Sequence, residues 1–268
     1  MSAFRRTRYT LLGIALVSLL LCYPAKNAVY RNEEYRLYLA DVKPITGVGA
    51  AGTAAILAML GGFRAVAANL LWLKSDQYWH AGSAGWWRMR PIFNTIVELD
   101  PHFIIAWRTF GWHVAWNLHH DAAPEDKPGF LKMGEDIFRR GIIANPQSWD
   151  MRMDLAWLYY DRIRDPEKSI SYWEDTVKQP GAPIFNWHMM AHAYEKIGNW
   201  KEAYRIWRFC LTKDPGDTVA VRMVDRWIGF SKDPVARRAY LTNIWETENG
   251  VRRSRGLPPR PKPQWLST

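Results

Sequence analysis

The sequence predicts an all-α fold, a superhelical array of antiparallel helix pairs preceded by an apolar N-terminal helix. Three observations predict it. From about residue 64 to 250, apolar residues recur at intervals of three and four, the period of a helix with one buried face. Short breakers separate the runs: Asp100-Pro101, Asn145-Pro146, Gln179-Pro180 and Asp214-Pro215 each end one helix and begin another. These prolines stand 45, 34 and 35 residues apart, close to the length of a two-helix repeat.

Composition narrows the class further. A chain of 268 residues that is 48% hydrophobic and 14% aromatic can bury a substantial core and is not a disordered polymer. Two cysteines, Cys22 and Cys210, exclude a disulfide-dense scaffold and a four-thiolate metal site. The net charge of +10 suggests nucleic acid until it is located. Arg5, Arg6 and Arg8 lie at one end, and Arg252, Arg253, Arg255, Arg260 and Lys262 at the other, with no acid among residues 1–9 or 251–268. Without those eight the chain holds 28 basic and 26 acidic residues, so the body is nearly neutral.

Residues 1–8 form a basic flank, and Tyr9 to Ala25 follow as 17 residues without a charge. As a helix that run is about 25 Å long, a short span of the hydrocarbon core, with the arginines held on the cytoplasmic side. A cleaved leader would need small residues three and one before the cut. Tyr23 precedes Ala25 and Lys26 precedes Ala28 at those places, so an uncleaved anchor is favoured over cleavage or a soluble buried helix. Residues 26–63 read as a linker leading into the first packed helix. Within it Ile45–Phe63 is uncharged but rich in Gly and Ala, and Gly61-Gly62 would interrupt a helix, so a loop is expected rather than a second span.

The clearest repeat is Ile184–Asp217. Trp187 stands at its position 4, Met190 at 7, Ala191 at 8, Tyr194 at 11, Gly198 at 15, Ala203 at 20, Trp207 at 24, Cys210 at 27 and Pro215 at 32. Small residues at 8, 20 and 27 let two helices approach closely, and large ones at 4, 7, 11 and 24 fill the space between pairs. On these residues the unit resembles the tetratricopeptide repeat (TPR) family, of a membrane-anchored bacterial type. Asn69–Pro101 is a degenerate unit matched at Phe93 and Pro101. From Ile104 a second unit has Trp107, Phe110 and Gly111 at positions 4, 7 and 8, and Gly134, Phe138, Gly141 and Pro146 at 20, 24, 27 and 32. An 11-residue insertion at 119–129 explains its longer spacing. Asp150–Pro183 follows with Tyr160, Ser169, Trp173 and Thr176 in place but Trp157 at position 8, where a small residue belongs. Thr218–Lys232 and Pro234–Glu248 read as a final pair, so the repeat domain spans 64–249. Residues 250–268, with their PPRPKP, are expected to form a basic, solvated, non-helical tail, with docking on an acidic partner or lipid headgroups as the functional alternative.

In the TPR family ligands are gripped mainly from positions 2, 5, 9, 12 and 13 of the first helix of each pair. Carried over, the groove comprises Ile105, Arg108, Trp112, Ala115 and Trp116; then Met151, Asp154, Leu158, Asp161 and Arg162; then Phe185, His188, His192, Glu195 and Lys196. This mixed and aromatic lining suits peptide contact. It lacks the Lys and Asn pattern with which some members clamp a terminal carboxylate. His188 and His192 have the i, i+4 spacing of a zinc pair, but no glutamate of an HExxH motif lies between them and no third ligand is evident. No phosphate loop, GxSxG or catalytic-cysteine motif is present.

The resemblance therefore implies a non-enzymatic scaffold in the inner membrane, single-pass, with its C-terminal domain extracytoplasmic. It would bind a protein or peptide in its groove and help assemble an envelope complex, without cofactor, metal or nucleic acid. Two rival functions remain: a helical-repeat RNA-binding protein, and a metal-dependent enzyme built on His188 and His192.

Overall fold

A computed structural model describes residues 63–79 and 82–267, and among them every regular element is helical. The expected anchor, and Ile45–Phe63 apart from Phe63, lie outside the described residues. Among the described residues no helix is long and apolar enough to cross a membrane. The chain divides into two compact units between Pro146 and Gln147.

Among the described residues the first unit contains two helix pairs. Helix α1 (Arg64–Ser75) packs against α2 (Gly82–Leu99). Helix α3 (Ile104–Trp112) continues through a π-helical stretch, His113–Leu118, and a last turn, His119–Asp121, and packs against α4 (Lys127–Ala144). The expected insertion is thus mostly not a loop: it lengthens the end of α3 and the start of α4, leaving residues 122–126 as the connection. Trp86, Met89, Phe93, Trp107, Phe110 and Phe138 form the core. Gly111 faces the Phe138 ring, and a Cβ on Gly134 would lie 2.6 Å from the Ala115 Cβ, so α3 and α4 touch where the repeat demands small residues. The Asp100-Pro101 breaker is pinned from both sides. Trp107 Nε1 and Asn145 Nδ2 both donate to the Pro101 carbonyl, at 2.9 and 3.0 Å.

The second unit contains three pairs. Helix α5 (Trp149–Trp157) runs into a π-helical stretch, Leu158–Ile163, and pairs with α6 (Pro166–Thr176). Then α7 (Phe185–Lys196) pairs with α8 (Trp200–Lys213), and α9 (Thr218–Lys232) with α10 (Pro234–Ser254). Asp165, Asn199, Asp217 and Asp233 accept backbone N–H bonds at the starts of α6, α8, α9 and α10, filling the donors that a helix start leaves open. Gly198, with φ of 78°, ends α7: its N–H donates to the Glu195 carbonyl and the Asn199 N–H to that of Tyr194, a left-handed cap that glycine adopts without strain. Ala191, Ala203, Trp207 and Cys210 are fully buried, at the places that positions 8, 20, 24 and 27 require.

The pair α5–α6 corrects the expected register. Ala156, fully buried, fills the small-residue place, and Trp157 is displaced outward by one residue. A π-helical turn holds more residues than an α turn, so Leu158–Ile163 absorbs the extra one. The next helix is back in step, with Ser169, Trp173 and Thr176 fully buried. The turn closes on Arg164 at φ 61°, and Asp165 N–H reaches back six residues to the Tyr159 carbonyl.

The C-terminus departs furthest from the sequence reading. Helix α10 extends through Ser254 and ends at Gly256, φ 71°, so Val251–Ser254 are helical. It packs on α7 as well as on α9. Residues 257–263 adopt no regular structure, then Gln264–Ser267 form one helical turn. That turn is docked: Leu266 is buried, and Trp265 packs against the core of the unit and lies over Gly198.

Candidate functional site

In the first unit, Ile105 is 60% exposed, and Arg108 and Trp112 are half-buried along the same helix. Trp112 and Trp116 stack with ring centroids 3.8 Å apart and planes 23° from parallel. The structure therefore brings these two predicted residues together, but Trp116 is buried, edge-on to Phe138 at 6.4 Å. The π-helical stretch from His113 causes this: the wider turn rotates later side chains relative to an α-helical count, carrying Trp116 inward.

His113 is buried among aromatic rings, 4.4 Å from Trp79, with Nδ1 3.2 Å from the Asn117 amide nitrogen. Burial pushes its imidazole down to about 4, and the charge of Asp121 opposes that shift only in part. The ring is neutral at physiological pH.

In the second unit, Asp154 and Leu158 are fully buried and line no groove. They stand one residue out of the counted register. Trp157 takes the outward place instead and packs 6.2 Å from Phe185, which is 44% exposed. The departure of Trp157 from the small-residue rule was the signal in the sequence for that shift.

Glu195 is likewise buried, under the aromatic core. One of its oxygens accepts from Trp207 Nε1 and Trp227 Nε1, at 3.0 and 3.1 Å, and the other lies 3.0 Å from His192 Nδ1. His188 Nε2 lies 2.5 Å from Asp217 Oδ2. Burial pushes the Asp217 carboxyl up. The Ala220 N–H, His188 and the Val219 N–H outweigh burial and hold it below the usual carboxylate range. Each histidine of the pair is thus bonded to its own carboxylate, and both rings pack against Trp207. Among the described residues no cluster of three or more His, Cys, Asp or Glu side chains is arranged to hold a metal. Burial pushes the Cys210 thiol up to about 12, which keeps it protonated and unreactive.

The remaining predicted position, Asp161, belongs to a charged network that the sequence reading missed. Its carboxylate lies 3.4 Å from Arg162, 3.5 Å from Arg164 and 3.8 Å from Arg255. Buried Glu248 of α10 pairs with Lys196 at 3.0 Å and with Arg164 at 3.2 Å. Burial pushes the Lys196 ammonium down while Glu248 offsets it, and Lys196 Nζ sits 3.6 Å from the centre of the Tyr160 ring. Asp161 and Lys196, both expected to face a ligand, are engaged by the C-terminal part of the chain itself.

A cavity of about 410 Å³ opens between α6, α7 and α8, floored by Trp187, Met190, Ile206 and Phe209 and rimmed by Glu174, Lys178, Glu202 and Arg205. Tyr194 donates to Glu174 at 2.6 Å across its wall.

No protein-family model and no curated protein matches the chain. Solved structures do. A thermophilic TPR protein of Thermus thermophilus is 16% identical, covers 52% of this chain and 71% of its own, and superposes with a TM-score of 0.43. MamA is 10% identical, with 73% and 98% covered and a TM-score of 0.44. YrrB, a TPR protein with an unusual peptide-binding site, is 16% identical, with 66% and 82% covered and a TM-score of 0.41. What carries the structural reading is the packing in this chain. With Ala191, Ala203, Trp207 and Cys210 buried at the signature places and Gly198 capping the first helix, the pair α7–α8 packs as the repeat register read from the sequence requires.

Proposed function

We propose that this chain is a scaffold, held to the inner membrane by residues 9–25, that binds a segment of a partner protein and helps to assemble an envelope complex. The observation that carries the binding role is the face of α3. Exposed Ile105, half-buried Arg108 and half-buried Trp112 run along one helix at the places where the repeat register puts ligand contacts, and Trp112 is backed by the buried Trp116 ring on which it stacks. A rigid stacked aromatic beside a guanidinium is a typical energetic centre of a protein interface, because large area is buried at little entropic cost. The membrane role is supported by the apolar leader and by α1. Phe63, Val66, Leu70 and Leu73 are all more than half exposed and share one stripe, as on a helix that lies at a membrane surface. In this reading the body lies outside the cytoplasm.

The test is capture of partners from detergent-solubilised membranes by the full chain and by an Arg108→Ala/Trp112→Ala variant. The variant should lose at least ~10-fold of captured partner, the scale of a lost interface centre, with helical content unchanged. Equal capture by both forms would remove α3 from the binding face. A reporter fused after Thr268 that is active only in the cytoplasm would overturn the topology.

A further inference from the structure

The tail after Gly256 is held the way a peptide ligand is held. Its grip on the backbone comes from one buried side chain. The Asn249 amide accepts from the Arg260 N–H at 2.7 Å and donates to the Arg260 carbonyl at 3.5 Å, a reciprocal pair that recognises an extended chain whatever its sequence. A charged contact follows: the Arg260 guanidinium donates to the Lys196 carbonyl at 3.3 Å and pairs with Glu167. The last contact is an aromatic anchor. Trp265 lies over Gly198, where no Cβ stands in its way, and buried Leu266 is fixed by Arg238 donating to its carbonyl at 2.8 Å. Between these points the prolines keep the chain extended, so little entropy is lost on docking.

We infer that the face of the second unit lying under residues 257–266 is a peptide site filled in cis by the chain's own tail, and that its ligand in trans is an extended peptide with arginine and proline followed by an aromatic–aliphatic pair. The inference rests on the scaffold reading and adds to the α3 face a second peptide site, on the second unit, with the chemistry of the segment it takes. A free tail of this composition would be solvated; here its arginine and backbone meet hydrogen-bond partners, and its indole packs on the core of the unit. Because the cis tail is tethered, it competes at high effective concentration, and a partner peptide enters only when the tail is displaced.

The experiment uses the full chain in detergent and a fluorescent synthetic peptide with the sequence of residues 255–268, followed by anisotropy. Wild type should bind it weakly. The Arg260→Ala/Trp265→Ala variant, whose tail is loosened but whose site is intact, should bind at least ~10-fold more tightly, since the tethered competitor is gone. Adding Asn249→Ala to that variant should abolish the gain, and a peptide lacking the arginine and tryptophan should not bind. No binding by a loosened chain of normal helical content, or equal binding by wild type, would overturn the inference. Should the loosened chain fail to fold, hydrogen exchange of the wild type decides: amides of the tail must open well before those of α8, and exchange of both only on global unfolding would overturn it. Loss of capture with Arg108→Ala/Trp112→Ala alongside a negative peptide result would leave the scaffold reading standing and remove only this one.

Discussion

Helices α3 and α7 hold the same place, first in their pairs, yet their contact faces are put to opposite uses. On α3 the face carries an exposed isoleucine and a half-buried tryptophan, Trp112, stacked on the buried Trp116. On α7, Phe185 apart, it is taken up internally: His188 by Asp217, His192 and Glu195 by each other and the tryptophan core, and Lys196 by Glu248 and the tail. The same repeat register therefore specifies where side chains point, while what meets them is decided by chain far away in sequence. In the second unit α10 and the tail supply that chain.

The sharpest way to break the comparison is at Glu195, where the face of α7 has become core. Removing its carboxylate by Glu195→Ala leaves two indole N–H groups buried without an acceptor, at about 1–3 kcal/mol each. A total loss of about 4 kcal/mol is expected in urea denaturation. Glu195→Gln keeps an oxygen to accept both and should lose only about 1 kcal/mol. Similar losses from the two substitutions would mean that the charge, rather than the two acceptor bonds, stabilises the site.

In the first unit the corresponding test is pH. His113 in the folded chain titrates near 4, below its ordinary 6.5, because it is buried. Between those values the unfolded chain takes up a proton that the folded chain refuses, so stability is full above about 6.5 and declines as pH falls to about 4. The contribution is about 3 kcal/mol once the decline is complete. His113→Phe keeps an aromatic ring beside Trp79 and Trp86 and removes the titration. Its Tm should fall less steeply than that of the wild type between pH 6.5 and 4, and parallel curves would place the acid sensitivity elsewhere.

Much of this fold was legible, and the failures have physical causes. Small residues at 8, 20 and 27 can be read because close helix approach forbids anything larger, and Ala191, Ala203 and Cys210 are all fully buried. Helix starts can be read because Asp before proline satisfies open backbone donors: Asp165, before Pro166, holds the Lys168 N–H at 3.0 Å, and Asp233, before Pro234, the Ala236 N–H at 2.9 Å. Counting in steps of 34 could not show the π-helical turns, since one extra residue in a helix leaves no breaker behind. That single residue turned Asp154 and Leu158 inward and Trp157 outward. The docked tail was hidden for another reason: Arg-Pro-Lys-Pro has no apolar periodicity, and its partners, Glu167, Lys196 and Asn249, lie on three different helices. Only Trp265-Leu266, an apolar pair in an otherwise polar end, hinted that it was anchored.

Gly198 gives the smallest effect and the finest resolution. It serves two purposes in one atom's absence: a φ of 78° that closes α7, and a flat seat for the Trp265 indole. Alanine there costs about 1 kcal/mol for the left-handed backbone alone, and its Cβ would also enter the space of the indole. The two costs separate in a double-mutant cycle. With Trp265→Ala already in place the backbone cost persists and the collision vanishes, so Gly198→Ala should destabilise less than in the wild type, by about 0.5–2 kcal/mol of coupling. The Leu266 amide, which donates to the Pro263 carbonyl in the docked turn, should likewise exchange its hydrogen faster in Gly198→Ala than in the wild type, because the displaced anchor frees the tail. Strict additivity would mean that the indole does not rest on this glycine, and that the contrast between α3 and α7 ends at α10 instead of extending to the tail.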